Sequence, residues 1–458
     1  MVSLHTINRY DKYIIFHPES LSIFYVSEDI GRFLEIHELG SMNSDIGSEC
    51  TNHAEISDEE VLTYFEKRIK LKSCEDLKWT GPEPKTLCLI VSQDCNLRCG
   101  YCYADHGTFG EDKRLMSFET SKKCIDKILG REFDNSILFF GGEPFLNFSL
   151  MKEIIEYGRK AKMNINYTTI TNGTIMNDAI KMLINENFFE LSISLDGPKA
   201  INDIQRYGSV DSVYDRVVDS IEQLNGGRCP LAIKCIVTKN SINNLTNIAE
   251  HISSLGVGSM AFADVSRIPN DSKFIISDSE FERYVQELSE ILVNNLQQLA
   301  MGRKTTAISP ILSILRQLIT RTRVIHICSA GREYIAVTAN GDVYPCHGFV
   351  GMDQFKMGNV YDEAFPGEAF DKIKKIFMNH SIYRSEECSS CWARFLCGGD
   401  CAVHSYIYNG DLYHPTKRRC ILTKSILNAI LPEIAEIFQD KNKIQNIIKR
   451  FDSNANVA

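Results

Sequence analysis

"SQDCNLRCGYCYAD", residues 92–105, sets Cys95, Cys99 and Cys102 at a C-x3-C-x2-C spacing, with Tyr101 just before the last thiol. A cubane iron–sulfur cluster takes one cysteine per iron. Three ligands on one short loop therefore leave one iron open to something else. A zinc site favours paired C-x2-C units and a fourth protein ligand instead.

The apolar run "TLCLIV" leads directly into this loop. Five further β-rich runs follow, "SILFF", "NYTTIT", "ELSISL", "LAIKCIV" and "GSMAFADV", separated by amphipathic stretches. Strands alternating with helices predict βα units on a parallel sheet, and six such units predict an open or partial barrel in an α/β fold. Sheets of this kind carry their chemistry on the loops after the strand C-termini. The polar, Gly-rich segments fall there: the cysteine loop after the first strand, "GGEP" (Gly141, Gly142, Glu143, Pro144) after the second, "TNGT" with Asn172 after the third, and "DGP" with Asp196 after the fourth.

On the N-terminal side, residues 1–80 open with short β-rich runs in "LHTINRYDKYIIFHPESLSIFYVSED". Helical patterns follow in "DIGRFLEIHE" and "SDEEVLTYFEKRIKLK", where Ser57 and Glu60 make a capping box. The prolines and glycine of "TGPEPKT" mark a linker, and the barrel is expected over 81–304. Residues 305–425 are poorly periodic and carry seven cysteines from Cys328 to Cys420, as expected where metal clusters supply much of the core. The tail, 426–458, reads as amphipathic helix interrupted at Pro432.

A chain of 458 residues exceeds one hydrophobic core, and two or three domains are expected. A net charge of -9 argues against a nucleic-acid footprint, which requires a basic surface. No apolar stretch approaches bilayer length, and the N-terminus lacks the basic start and apolar core of a secretory signal. A cytoplasmic, reducing location follows, where sixteen cysteines point to metal binding rather than to a disulfide framework. The scattered Cys50, Cys74, Cys88, Cys124, Cys229 and Cys235 read as small buried hydrophobes.

The C-x3-C-x2-C loop after the first barrel strand resembles that of the radical S-adenosylmethionine (SAM) superfamily. The resemblance implies a [4Fe–4S] cluster on Cys95, Cys99 and Cys102. Its open iron would take the amino and carboxylate groups of SAM, and electron transfer would give methionine and a 5′-deoxyadenosyl radical. It further implies Tyr101 near the adenine, Glu143 of the GGEP motif accepting from the SAM ammonium, Ser194 and Asp196 at the ribose, and Arg206 at the SAM carboxylate. Asn172 would line the same pocket. From the residues alone, the two glycines let backbone carbonyls approach a ligand, while Asn172 and Asp196 read equally as turn residues and Tyr101 as packing.

The second cysteine set, Cys328, Gly341-x4-Cys346, Cys388-x2-Cys391-x5-Cys397-x3-Cys401 and Cys420, resembles the SPASM extension; two structural zinc sites are the alternative. Two auxiliary [4Fe–4S] clusters are implied, three clusters in all, with Cys328, Cys346 and Cys401 on the first auxiliary cluster and Cys388, Cys391, Cys397 and Cys420 on the second. The eighth cysteine of fully ligated members is missing near Cys328. His326 and His347 are neighbouring candidates; otherwise an iron stays open to a substrate thiolate.

With the N-terminal module and "CYADHGTFGEDKRLMSFET", the chain is most similar to thioether-forming maturases of ranthipeptides (six-cysteine peptides) and sactipeptides. That resemblance implies a winged-helix-like leader-recognition domain over 1–80 that adds an extended peptide to a sheet edge, a cysteine-containing precursor peptide, and an electron donor such as flavodoxin or ferredoxin. The rivals are carbon–carbon crosslinking, formylglycine formation or a non-catalytic iron–sulfur sensor, with 1–80 as a stabilising cap. No side chain is singled out as catalytic, because the cofactors carry the radical chemistry.

Overall fold

The computed structural model describes residues 4–9, 12–32, 34, 75–76, 85–130, 134–208, 210–265 and 273–455. The chain opens with an antiparallel meander, β1 (His5–Arg9), β2 (Lys12–His17) and β3 (Ser22–Val26). The Ser57 and Glu60 capping box, Cys50 and Cys74 lie outside the described residues. A two-residue strand, β4 (Glu75–Asp76), pairs with β13 (Thr322–Arg323).

The barrel sheet is built from β5 (Thr86–Gln93), β7 (Asn135–Gly141), β8 (Ile165–Thr171), β9 (Phe188–Ser194), β10 (Leu231–Val237) and β11 (Ser259–Asp264). These are the six expected runs, parallel and adjacent in sequence order. Leu87 to Val91 of β5 are buried without interruption, the pattern of a strand covered on both faces. The intervening helices start on side-chain caps where the sequence supplies them: Ser117 accepts from the Thr120 amide, Asn177 from Ile180 and Ser212 from Asp215. Short β6 (Arg114–Leu115) pairs with β5, and β12 (Ala307–Ile308) extends the far edge. Cys88, Cys124, Cys229 and Cys235 are buried, as expected of packing residues.

Two features differ from the expected division. The cysteine-rich region continues the barrel sheet: β14 (Tyr334–Val337) runs parallel to β5 on its free edge, and β15 (Asp342–Tyr344) and β16 (Gly358–Asn359) follow antiparallel. The Gln93 side chain reinforces this junction by accepting from the Ala339 amide at 3.0 Å. The tail also has no break at 425 or at Pro432, because one helix spans Lys417–Ile437. Proline has no N–H for the Asn428 carbonyl and its ring crowds the preceding turn. Arg9 reaches this stretch, donating to the Ala429 carbonyl at 3.0 Å and pairing with Glu433 at 3.0 Å.

The N-terminal sheet thus rests on the last long helix and on the cysteine-rich region. The His5 ring stacks on Trp392 at 3.6 Å, with His5 Nε2 2.7 Å from Asn428 Oδ1, and Arg394 pairs with Glu19. Among the described residues no helix is long and apolar enough to cross a membrane.

An aromatic stack of this kind contributes about 1 kcal/mol beyond area burial. His5→Ala should therefore accelerate native-state amide exchange across Lys12–His17 by about fivefold while leaving β5 unchanged. Unaltered exchange in β2 would mean that the stack does not hold the sheet in place.

Candidate functional site

The loop after β5 is gripped from three neighbouring rims. After β7, an added Cβ on Gly142 would lie 2.3 Å from the Asp94 carbonyl oxygen and 2.8 Å from Cys95 Cβ, and one on Gly141 would lie 2.1 Å from the Ser92 oxygen. Both glycines admit a close approach of the cysteine loop. After β8, Asn172 donates to Asn96 Oδ1 at 2.8 Å and to Cys95 Sγ at 3.7 Å, and accepts from the Thr174 amide at 3.0 Å. After β9, the Tyr207 and Gln205 carbonyls accept from the Arg98 amide at 2.6 Å and the Gly100 amide at 3.1 Å. Pairing of Leu97 with Gly208 fixes the same approach.

Two buried carboxylates organise the floor. Glu143 is fully buried and accepts from the Phe145 amide (3.0 Å), the Asn172 amide (2.8 Å) and Thr171 Oγ1 (2.8 Å). Burial pushes its carboxyl up to about 7, against the pull of those donors. Pro144 begins the short helical turn that follows. Asp196, also fully buried, accepts from Tyr101 Oη at 2.5 Å, Arg206 Nε at 3.0 Å and the Ile236 amide at 3.0 Å. The Arg206 guanidinium lies 5.5 Å from the Tyr101 ring centre. Tyr101, Asp196 and Arg206 therefore form one unit beside Cys99. Ser194 ends β9 on the same rim, half-buried.

The thiols gather in the three expected groups. Cys95, Cys99 and Cys102 repel one another as thiolates, as do Cys328, Cys346 and Cys401, and Cys388, Cys391, Cys397 and Cys420. Burial is the main cause that pushes Cys95 and Cys388 up to about 11 and Cys99 up to about 12. Iron would supply the positive charge that such buried thiolates lack. The donors around the sulfurs fit clusters as well: the Leu97 amide lies 3.4 Å from Cys95 Sγ and the His106 amide 3.3 Å from Cys102 Sγ, contacts of the kind that tune iron–sulfur sites. Among the described residues no three His, Cys, Asp or Glu side chains close on a single-ion position, and thiolates spread around a cubane have no need to. His326 Nδ1 faces the His380 carbonyl, and His347 Nδ1 lies 2.7 Å from Tyr334 Oη.

A cleft of about 760 Å³ opens between the end of β11 and the Cys328, Cys346 and Cys401 group. Its walls include Phe262, Asp264, His404 and Arg419, none of which the sequence reading selected. Asp264 ends a barrel strand, the position where chemistry is expected, and that signal alone could have flagged it. Burial raises its carboxyl, with Arg418 and His404 opposing.

The family model for the radical SAM superfamily matches residues 89–237, and that for the SPASM iron–sulfur cluster-binding domain matches 328–392. An uncharacterized protein of Methanocaldococcus jannaschii is 31% identical over 221 residues, 47% of this chain and 75% of that one. A cysteine-type anaerobic sulfatase-maturating enzyme of Clostridium novyi is 25% identical over 69% of this chain and 88% of its own length. The structure of Streptococcus suis SuiB bound to precursor peptide SuiA superposes with a TM-score of 0.52 at 16% identity, covering 91% of this chain and 98% of that one.

Because backbone atoms cannot yield to a Cβ, Gly142→Ala should displace Cys95. Anaerobic reconstitution should then leave roughly a third less iron than the wild type, the content of one cluster in three. Cys124→Ala, remote from the loop, should keep its full iron. Equal iron in both variants would separate the glycine contact from cluster binding.

Proposed function

The chain belongs to the radical SAM superfamily and carries a SPASM extension, and from that premise we propose that it is a maturase forming thioether bridges in a cysteine-containing peptide. SAM and its [4Fe–4S] cluster, when bound, supply a hydrogen-abstracting 5′-deoxyadenosyl radical, and auxiliary clusters take up the surplus electron. The residues of this chain hold and shield that chemistry. Cys95, Cys99 and Cys102 bind the first cluster. Glu143, Asn172, Ser194, Asp196, Arg206 and Tyr101 line the SAM side, Glu143 as acceptor for the SAM ammonium. Cys328, Cys346 and Cys401 bind the first auxiliary cluster, and Cys388, Cys391, Cys397 and Cys420 the second.

The observation that carries the reading is the cleft, which joins the rim of the barrel to the Cys328, Cys346 and Cys401 thiols. A peptide cysteine entering there would come within reach of the three thiols that would hold the first auxiliary cluster and of the barrel rim. For each bridge the peptide gives up one hydrogen atom from carbon, one proton from sulfur and one electron, and keeps the sulfur. The β1–β3 sheet, whose outer strands β1 and β3 each have one unpaired edge among the described residues, supports leader recognition by strand addition. A flavodoxin or ferredoxin would supply the electrons.

Formylglycine formation is the second reading, favoured by the likeness to the Clostridium novyi enzyme. The SuiB structure, which superposes over most of this chain, was solved with a precursor peptide bound, and a peptide substrate is common ground with the first reading.

Product mass separates the two. Holoenzyme given SAM, reductant and a cysteine-containing precursor peptide should return a product lighter by a pair of hydrogens per bridge, with all sulfur retained and no oxygen gained. A product that has exchanged sulfur for oxygen would establish formylglycine instead.

A further inference from the structure

The helix Lys417–Ile437 begins with three consecutive cations, Lys417, Arg418 and Arg419, and has no acidic residue in its first turn. The helix dipole disfavours cations at an N-terminus by a few tenths to about 1 kcal/mol each. A conflict of this kind within a chain of net charge -9 marks a place where local stability is given up for function.

The three cations differ in what they touch. Arg418 is committed: it donates to the Ile276 carbonyl at 2.6 Å, pairs with Asp278 at 2.8 Å and lies 4.8 Å from the Phe281 ring centre. Asp400, a buried carboxylate on the cleft wall, is also committed, accepting from the Cys401 amide at 2.7 Å and the Thr416 amide at 2.8 Å. Lys417 and Arg419 line the same cleft, and neither side chain has a hydrogen bond or ion pair among the described residues. Beside them the wall carries Ile327 and Tyr408, 48% and 60% exposed, an apolar surface open to solvent. Unpaired cations next to exposed apolar side chains suit a peptide that is acidic at one point and apolar around it.

We propose that Lys417 and Arg419 form a carboxylate-binding subsite at the mouth of the cleft, which holds an Asp or Glu side chain of the substrate peptide at a fixed distance from the cysteine being modified. The inference rests on the reading of the cleft as the peptide site. Arg419 presents a planar fork that suits bidentate pairing with a carboxylate, and Lys417 adds a point charge. Both act as specificity-determining residues and take no part in the chemistry.

The test is selection of a displayed library of 12-residue peptides, each with one fixed cysteine and a blocked C-terminus, on immobilised holoenzyme. The wild type should enrich Asp or Glu at one offset from the cysteine. Lys417→Gln with Arg419→Gln should lose that enrichment and bind the best selected peptide about tenfold more weakly. Arg419→Glu should shift enrichment toward Lys or Arg at the same offset. Cysteine-containing peptides enriched without any acidic preference would overturn the subsite and leave the peptide reading standing; no enrichment of any peptide would remove both. Iron content and the midpoint potential of the first auxiliary cluster, followed by paramagnetic resonance, should be unchanged in the variants. A shifted potential with unaltered peptide preference would mean that the cations serve the cluster, and would overturn the proposal.

Discussion

The contact on which the site depends is the seating of the cysteine loop on the glycines that end β7. No side chain fits between Gly142 and the Asp94–Cys95 backbone, so the position of the first thiol is set by two main chains touching. Such a contact is stiff, because close-packed backbone has no rotamer through which to relax. The hydrogen bonds of Glu143 extend it sideways: one carboxylate joins the turn after β7 to Thr171 and Asn172 after β8, and Asn172 returns to Asn96 and Cys95. The loop is thereby closed into a ring of contacts, with burial raising the carboxyl at its centre to about 7.

Continuity of the sheet is the second constraint. Because β14 pairs with β5, the strand that feeds the first cysteine loop also fixes the start of the cysteine-rich region. Cys328 precedes β14 and Cys346 follows β15, so both inherit their positions from the barrel rather than from a linker. The cleft between barrel and extension is then walled by elements tied to one continuous sheet.

Much of this was legible in the sequence. Six β-rich runs gave the parallel strands, and β5 in particular reads as the continuous hydrophobic stretch of a strand buried on both faces. The thiol groups were legible because cysteine spacing is strict and cysteine is rare. What escaped has a common physical basis. β14 is four residues long, too short for a periodic signal, and it pairs with a strand more than two hundred residues away. Pro432 suggested a break, yet the helix continues where Arg9 of β1 bonds to its backbone. Asp196 resembled a turn residue, and its role as partner of both Tyr101 and Arg206 depends on contacts that only the folded rim creates. Arg419 lay in a charge run, and such runs are commonly solvated faces.

The helix Lys417–Ile437 links the outlying parts. Its first turn borders the cleft at Arg419, while the N-terminal sheet docks further along, through His5 on Asn428 and Arg9 on Ala429 and Glu433. Ten residues of helix separate Arg419 from Ala429, about 15 Å at the rise of an α-helix. An extended chain covers that span in about five residues. Pro432 lies within the docking stretch, between Ala429 and Glu433. A groove beside the same stretch, lined by Ile421, Ser425 and Asn428 and walled by the helix Asp278–Ala300, runs from Arg9 toward the cleft. On the proposed reading, a peptide held at the N-terminal sheet meets the cleft at a distance fixed by this one helix. The number of residues between leader and first modified cysteine is then set by geometry, and His5, stacked on Trp392 and bonded to Asn428, keeps the origin of that measure in place.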